Sequence, residues 1–198
     1  MTKFAVVTTF NQAGYDKYAS RMIDTFLKSM EMDLEKKVYS KEKYEQYILG
    51  SAEVVGLMCL HIFCEGDTAQ FEKLKPSAKH LGAAFQKVNF LRDIKADFEG
   101  LDRMYFPNCD FSKFTQTDKE IIEVDIQADF EEALQGIKML PLKARFGVYV
   151  AFKYYYSLFK KIKKTHHEAI LKARIRIPTP GKIFIVAKAT LRSQLNLL

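Results

Sequence analysis

Leu81 to Pro107 reads LGAAFQKVNFLRDIKADFEGLDRMYFP. The stretch keeps a helical period to about Asp97, and Gly100 and Pro107 mark a loop behind it. At about 100° per residue, Gln86, Asn89, Asp93 and Asp97 fall within an arc of about 80°. One helix face therefore presents two carboxylates and two amides. Their oxygens are the hard donors that Mg²⁺ prefers, and Mg²⁺ is usually held by one or two carboxylates with phosphate and water completing the octahedron. Arg92 beside Asp93, and Arg103 and Tyr105 in the loop, are placed to meet phosphate oxygens. A bare DxxxD pair is more often a solvated helix face. The longer pattern around this one is what argues for chemistry.

Outward from this stretch the periodicity stays helical. Met22, Ile23, Phe26, Leu27 and Met30 form one stripe. Ser40 is placed to cap the next helix, with Glu42 in its first turn, and Gly66–Asp67 to end it. Pro76 suits the first turn of the helix that follows. Thr117 and Glu120 read as a capping box for a helix ending near Pro141, and Thr165 and Glu168 as another. The loop Pro178-Thr-Pro-Gly181 precedes a last apolar helix, Ile183 to about Leu195. VVTT near the start is β-branched but short, and no other segment reads as a strand. The expectation is one all-helical domain over residues 1–198.

The order Leu81-Gly82, Gln86, Asn89-Phe90, Arg92-Asp93-Ile94, Asp97, Arg103, Tyr105, Pro107 resembles the second aspartate-rich signature of the squalene/phytoene synthases. Upstream, Tyr47-Ile-Leu-Gly-Ser-Ala-Glu-Val-Val-Gly56, with Met58 after it, resembles the family's tyrosine and the small-residue helix beside the substrate tunnel. Ile48 and Glu53 depart from the small residues commonest there, which leaves fine substrate choice open. Phe26-Leu-Lys-Ser-Met-Glu-Met-Asp33 and Tyr39 resemble the run into that segment. The resemblance extends from about Ile23 to Arg176 and is strongest to bacterial phytoene synthases.

That resemblance implies an all-α helical bundle of the isoprenoid (terpenoid) synthase type. It implies head-to-head condensation of two prenyl diphosphates through a cyclopropyl diphosphate, in isoprenoid and carotenoid biosynthesis. The phytoene route uses geranylgeranyl diphosphate. The squalene or dehydrosqualene route, from farnesyl diphosphate, stays open, and no GxGxxG dinucleotide site argues for NADPH. The implied cofactor is Mg²⁺, with Mn²⁺ as a substitute. Resemblance assigns Asn89, Asp93 and Asp97 to metal, and Gln86, Arg92 and Arg103 to diphosphate. It assigns Tyr47, Arg92 and Tyr105 to the reaction itself. Tyr47 would steer or deprotonate a cation, or else be a core tyrosine. Phe26, Val54, Leu57 and Phe85 are candidates for setting tunnel depth, and one of Tyr154, Tyr155 and Tyr156 for lining the cavity.

The family sets two aspartate-rich helices face to face, and no DxxxD or DDxxD precedes residue 25 here. The expectation is a C-terminal portion lacking the first motif, an N-terminally truncated bundle that forms a partial domain. Such a chain would expose apolar surface and self-associate, or need the missing segment, and its activity alone is open. A non-catalytic prenyl-diphosphate-binding subunit or fragment is the alternative. A second pair, Asp125 and Asp129, lies among Glu120, Glu123, Glu131 and Glu132 and reads as a solvated acidic face.

Composition agrees with a globular protein: 198 residues, 48% hydrophobic and 28% charged. No apolar run approaches the roughly 20 residues of a membrane span, and the N-terminus lacks a signal-peptide pattern. The three cysteines Cys59, Cys64 and Cys109 form no CxxC pair. These features predict a cytoplasmic protein. Net charge is +7, concentrated in a basic C-terminal third that includes Lys160, Lys161, Lys163, Lys164, Lys172, Arg174 and Arg176. A solvated face is the simplest account. Peripheral contact with an anionic membrane follows if the substrate is a lipid, and nucleic acid ranks last because no such motif accompanies the charge.

Overall fold

The computed structural model describes residues 16–34, 39–101, 105–107, 109 and 113–194, and among them there is no strand. The order is α1 (Asp16–Met32), α2 (Lys41–Ile48), a π-helical turn (Leu49–Glu53), α3 (Val54–Phe63), α4 (Thr68–Leu101), α5 (Gln116–Met139), α6 (Leu142–Lys163), α7 (His167–Lys172) and α8 (Thr179–Gln194). VVTT lies outside the described residues.

Helix α4 is the axis of the bundle, packing most extensively on α5 and also on α2, the π turn, α3, α6 and α7. Its residues Ala84, Val88 and Leu91 are fully buried. They lie on the face about 170° from Asp93, so packing turns the carboxylates away from the spine of the core. Ile126 and Phe130 of α5 and Leu158, Phe159 and Ile162 of α6 complete that core.

Ser40 caps α2 as expected, its hydroxyl accepting from the Lys43 amide at 3.3 Å. Glu65 and Gly66 end α3 in left-handed conformations (φ 48° and 92°). Four helix starts differ from expectation, and in the first three a nearer side chain takes the orphan amide or the capping hydroxyl bonds elsewhere. Asp67 Oδ1 accepts from the Gln70 amide at 2.9 Å, so α4 begins at Thr68 and encloses Pro76. It also runs past Asp97 to Leu101. The capping box of α5 is Thr115 with Asp118, two residues before the expected Thr117. Thr165 does not cap α7; its hydroxyl donates back to the Lys161 carbonyl at 2.9 Å. Helix α8 starts at Thr179, so Pro180 and Gly181 lie in its first turn rather than in a loop.

The π turn sets the register of α3. The Val54 amide bonds to the Leu49 carbonyl, five residues back, which inserts a residue and rotates α3 by about 100° relative to a continuous α-helix. Val54 and Leu57 consequently enter the core, while Val55 and Cys59 face a cavity. Helix spacing is close here. A Cβ on Gly82 would sit 2.5 Å from the Ala52 carbonyl oxygen, and one on Gly56 would sit 2.6 Å from that of Ala78. The stretch Lys41–Phe63 is long and apolar enough by composition to cross a membrane. Its residues Tyr47, Ile48, Val54, Leu57 and Leu60 are instead buried within the bundle.

The acidic face is solvated at Glu120, Asp125, Glu131 and Glu132, as expected, but not at Asp129 or Glu123. Asp129 is 6% exposed. It accepts from His80 Nδ1 at 2.7 Å and forms an ion pair with Lys87 Nζ at 2.7 Å, while Asp125 takes Lys87 at 2.5 Å. Burial opposes the charge on Lys87, but the two aspartates outweigh it and raise its pKa. Glu123 is likewise buried, paired with the fully buried Lys119. A charge run in sequence carries no sign of the cations that α4 brings to it.

Candidate active site

Three features follow one another along and around α4. On one side lies a cavity of about 590 Å³ between α3, α4, α5 and α6. Its wall is mostly Ala, Val, Leu, Phe and Gly, and Gln86 is one of the few polar side chains in it. The volume lies within the range of pockets that engulf a small ligand. The small residues Ser51 and Ala52 of the π turn and Gly56 of α3 line one side of it. Phe85 lines it and stacks on Tyr155 at 3.9 Å between ring centroids. None of Tyr154, Tyr155 and Tyr156 lines the cavity, contrary to expectation: Tyr155 lies behind Phe85, Tyr154 takes Lys182 over its face, and Tyr156 packs on Phe130. Phe26 is not among the lining residues.

Next around α4 come Asn89, Asp93 and Asp97, continuing the face that Gln86 begins. Asn89 Oδ1 is buried with no hydrogen-bond partner among the described residues. Asp93 is held by two guanidiniums. Arg92 Nε donates to it at 3.0 Å and the terminal nitrogen of Arg92 at 2.5 Å, while Arg174 Nε lies 2.6 Å from Oδ1. The hydrogen bond to Asp93 raises the pKa of Arg92 further. Asp97 is half-buried.

On the far side Phe90 stacks on Tyr105 at 4.1 Å, and Tyr105 lies 5.3 Å from Tyr47. The two hydroxyls converge on one carboxylate. Tyr47 donates to Asp33 Oδ2 at 3.1 Å, and Tyr105 reaches Oδ1 at 3.5 Å, the long limit of a hydrogen bond. Burial first, then Tyr105 and Asp33, push the Tyr47 pKa far above the ordinary phenol value. Tyr47 is therefore a neutral hydroxyl across the physiological range. Tyr39 packs edge-on to Tyr47 and completes the aromatic nest.

The structure thus brings Gln86, Asn89, Arg92, Asp93 and Asp97 to one stretch of α4, with Tyr47 and Tyr105 beside it. Arg103 lies outside the described residues. Two participants have no part in the site as read from sequence. Arg174 stands there only within a basic tract, and Asp33 only at the end of a run. Neither has a local signal, because Arg174 is 81 residues from Asp93 and Asp33 is 14 from Tyr47.

A hard-oxygen face beside an apolar cavity in an all-helical bundle is the arrangement of the isoprenoid synthases. Comparison with known proteins narrows the class. A model of squalene/phytoene synthase matches residues 5–180. The chain is 27% identical over 187 residues to a 15-cis-phytoene synthase of Synechocystis sp., covering 82% of this chain and 55% of that protein. It is 26% identical over 191 residues to a 15-cis-phytoene synthase of Synechococcus elongatus, covering 84% and 61%. The chain therefore belongs to the squalene/phytoene synthase family, and it spans a little over half the length of these curated relatives.

Proposed function

We propose that this chain binds a prenyl diphosphate and serves head-to-head condensation of the phytoene synthase type. The observation that carries this is the continuity of Gln86, in the wall of the apolar cavity, with the Asn89–Asp93–Asp97 face. A ligand with a long hydrocarbon tail and a diphosphate head matches both halves.

The donor set suits Mg²⁺. Asn89 offers a buried oxygen with no hydrogen-bond partner among the described residues, and Asp93 and Asp97 offer carboxylates. When bound, the metal would neutralise diphosphate and ease its departure. Arg92 and Arg174, now on Asp93, lie within reach of the same phosphate oxygens, and Arg103 would add to them by family resemblance. In this reading the C–O bond of one prenyl diphosphate breaks and the electron pair leaves with diphosphate. The allylic cation alkylates the second molecule, and loss of a proton gives the cyclopropyl diphosphate. A second ionisation, rearrangement and proton loss give the product without a reductant. Tyr47 and Tyr105 are buried beside the polar face and outside the cavity lining, so in this reading they would act on a cation only from the edge of the site, through ring electrostatics. The protonated state of Tyr47 favours steering over proton abstraction.

The test is calorimetry with an unreactive thio-analogue of geranylgeranyl diphosphate. Binding is expected to require Mg²⁺ and to weaken at least about tenfold in Asp93→Ala. Mg²⁺-independent binding, or none at all, would sink the reading. Residues 1–198 carry one face of the signature type, so turnover by this chain alone is expected to be slight. That second point is checked by product analysis with geranylgeranyl diphosphate and Mg²⁺, with and without NADPH. Binding without turnover, restored by a chain bearing another aspartate-rich helix, would favour a binding subunit.

A further inference from the structure

Helix α8 is apolar on its outer face as well as on its packed one. It packs chiefly on α6, through Ala189 (1% exposed) and the half-buried Ile185. At about 100° per residue, the opposite face carries Val186, Thr190, Ile183, Ala187, Leu191 and Phe184 in angular order, and the Thr190 hydroxyl donates back to the Val186 carbonyl at 3.0 Å. Ile183 is 65% exposed, Phe184 67%, Val186 46% and Leu191 57%. A helix on the surface of a globular protein turns polar residues to water, and a contiguous exposed apolar patch marks a contact surface.

The flanks of that face are cationic. Lys182 borders it on the Val186 side, and Lys188 and then Arg192 border it on the Phe184 side. Lys153 and Lys160 of α6 belong to the same field, since burial and then Arg192, Lys160 and Lys188 all lower the pKa of Lys153. From residue 133 to the last residue the sequence holds 14 Lys or Arg and a single acid, Glu168. A second copy of this chain would set one cationic rim against another, in a protein already at +7. An anionic surface with a hydrocarbon interior satisfies both the rim and the face.

We propose that α8 lies in the plane of an anionic lipid bilayer. Ile183, Phe184, Val186 and Leu191 enter the acyl boundary, and Lys182, Lys188 and Arg192 sit at the level of the headgroup phosphates. The surface is separate from the cavity and stands whether or not the catalytic reading holds.

The chain has no tryptophan, so Phe184→Trp supplies a single reporter at an exposed position. With vesicles of phosphatidylcholine and phosphatidylglycerol, its emission should shift to the blue and be quenched by lipids brominated on the acyl chain. Co-sedimentation should favour these vesicles over phosphatidylcholine alone by about tenfold or more. The double variant Ile183→Ser/Phe184→Ser, with unchanged circular dichroism, should lose most of the binding. Lys182→Glu/Lys188→Glu should lose the part that salt suppresses. A tryptophan that stays water-exposed on vesicles that have captured the protein would overturn the proposal. So would equal binding by the serine variant, or sedimentation velocity showing a dimer that Phe184→Ser dissolves.

Discussion

The side chains at the candidate site are poised by charge competition. Asp93 is shared between Arg92 and Arg174, so a cation arriving alone must displace two guanidiniums, whereas diphosphate arriving with it draws them away. Mg²⁺ alone should therefore bind weakly, and Mg²⁺ with inorganic pyrophosphate much more tightly. Arg174→Ala should reverse the balance, binding Mg²⁺ alone several-fold better and Mg²⁺–pyrophosphate several-fold worse; both are read by calorimetry. The tyrosines carry a pH signature. Burial raises the pKa of Tyr44 and Tyr47 above that of an unfolded tyrosine. The unfolded chain thus releases these protons first as pH rises. Their contribution to stability is complete below about pH 10 and is lost above it, as the folded pKa is approached. Urea midpoints should fall between about pH 9 and pH 11, and the fall should shrink in Tyr44→Phe/Tyr47→Phe. An equal fall in that variant would place the sensitivity elsewhere.

Among the elements, the crossing of α3 on α4 depends on glycine. At Gly82 a methyl group would meet the Ala52 carbonyl oxygen, a backbone atom that cannot turn aside. Gly82→Ala should cost about 1–3 kcal/mol by chemical denaturation. Gly147 of α6 is the internal control, because a Cβ there meets nothing within 4 Å. Gly147→Ala should add about 0.5–1 kcal/mol through helix propensity. Equal and small effects at both positions would contradict the close packing. Much of the helix inventory is legible in the sequence, since the Met22–Met30 stripe, the Ser40 cap and the Gly66 stop are local signals. Helix starts are less so, because Thr117 and Thr165 look like good caps in isolation. What decides against them is which neighbouring group reaches the same amide or hydroxyl first.

For the whole molecule, the proposed reading places the tail of the ligand in the cavity. Ala151 lines it from α6, so Ala151→Phe should occupy room used by a long tail. Binding of a geranylgeranyl-length thio-diphosphate should weaken about tenfold, while Mg²⁺–pyrophosphate binding should stay unchanged, since the proposed diphosphate site is on α4, away from Ala151. A parallel loss of both would mean that the substitution disturbs the bundle. The tunnel wall is only partly readable in sequence. Phe85 lines it as expected, but Val55 and Cys59 stand where Val54 and Leu57 are expected. The π turn at Leu49–Glu53 shifts the register that an unbroken α-helix would keep.

By itself the sequence determined the all-helical class, the polar face from Gln86 to Asp97 and, through that face, the family. These follow from short-range periodicity and from side chains a few residues apart, which a helix must place together whatever surrounds it. Tertiary structure alone decided that Arg174 closes on Asp93, that Asp33 gathers Tyr47 and Tyr105, and that Asp129 is buried against Lys87 and His80. It also left one apolar side of α8 facing outward. Each of these depends on which distant surface a helix meets, and a charge or an apolar residue shows its partner only once the chain has brought the two within bonding distance.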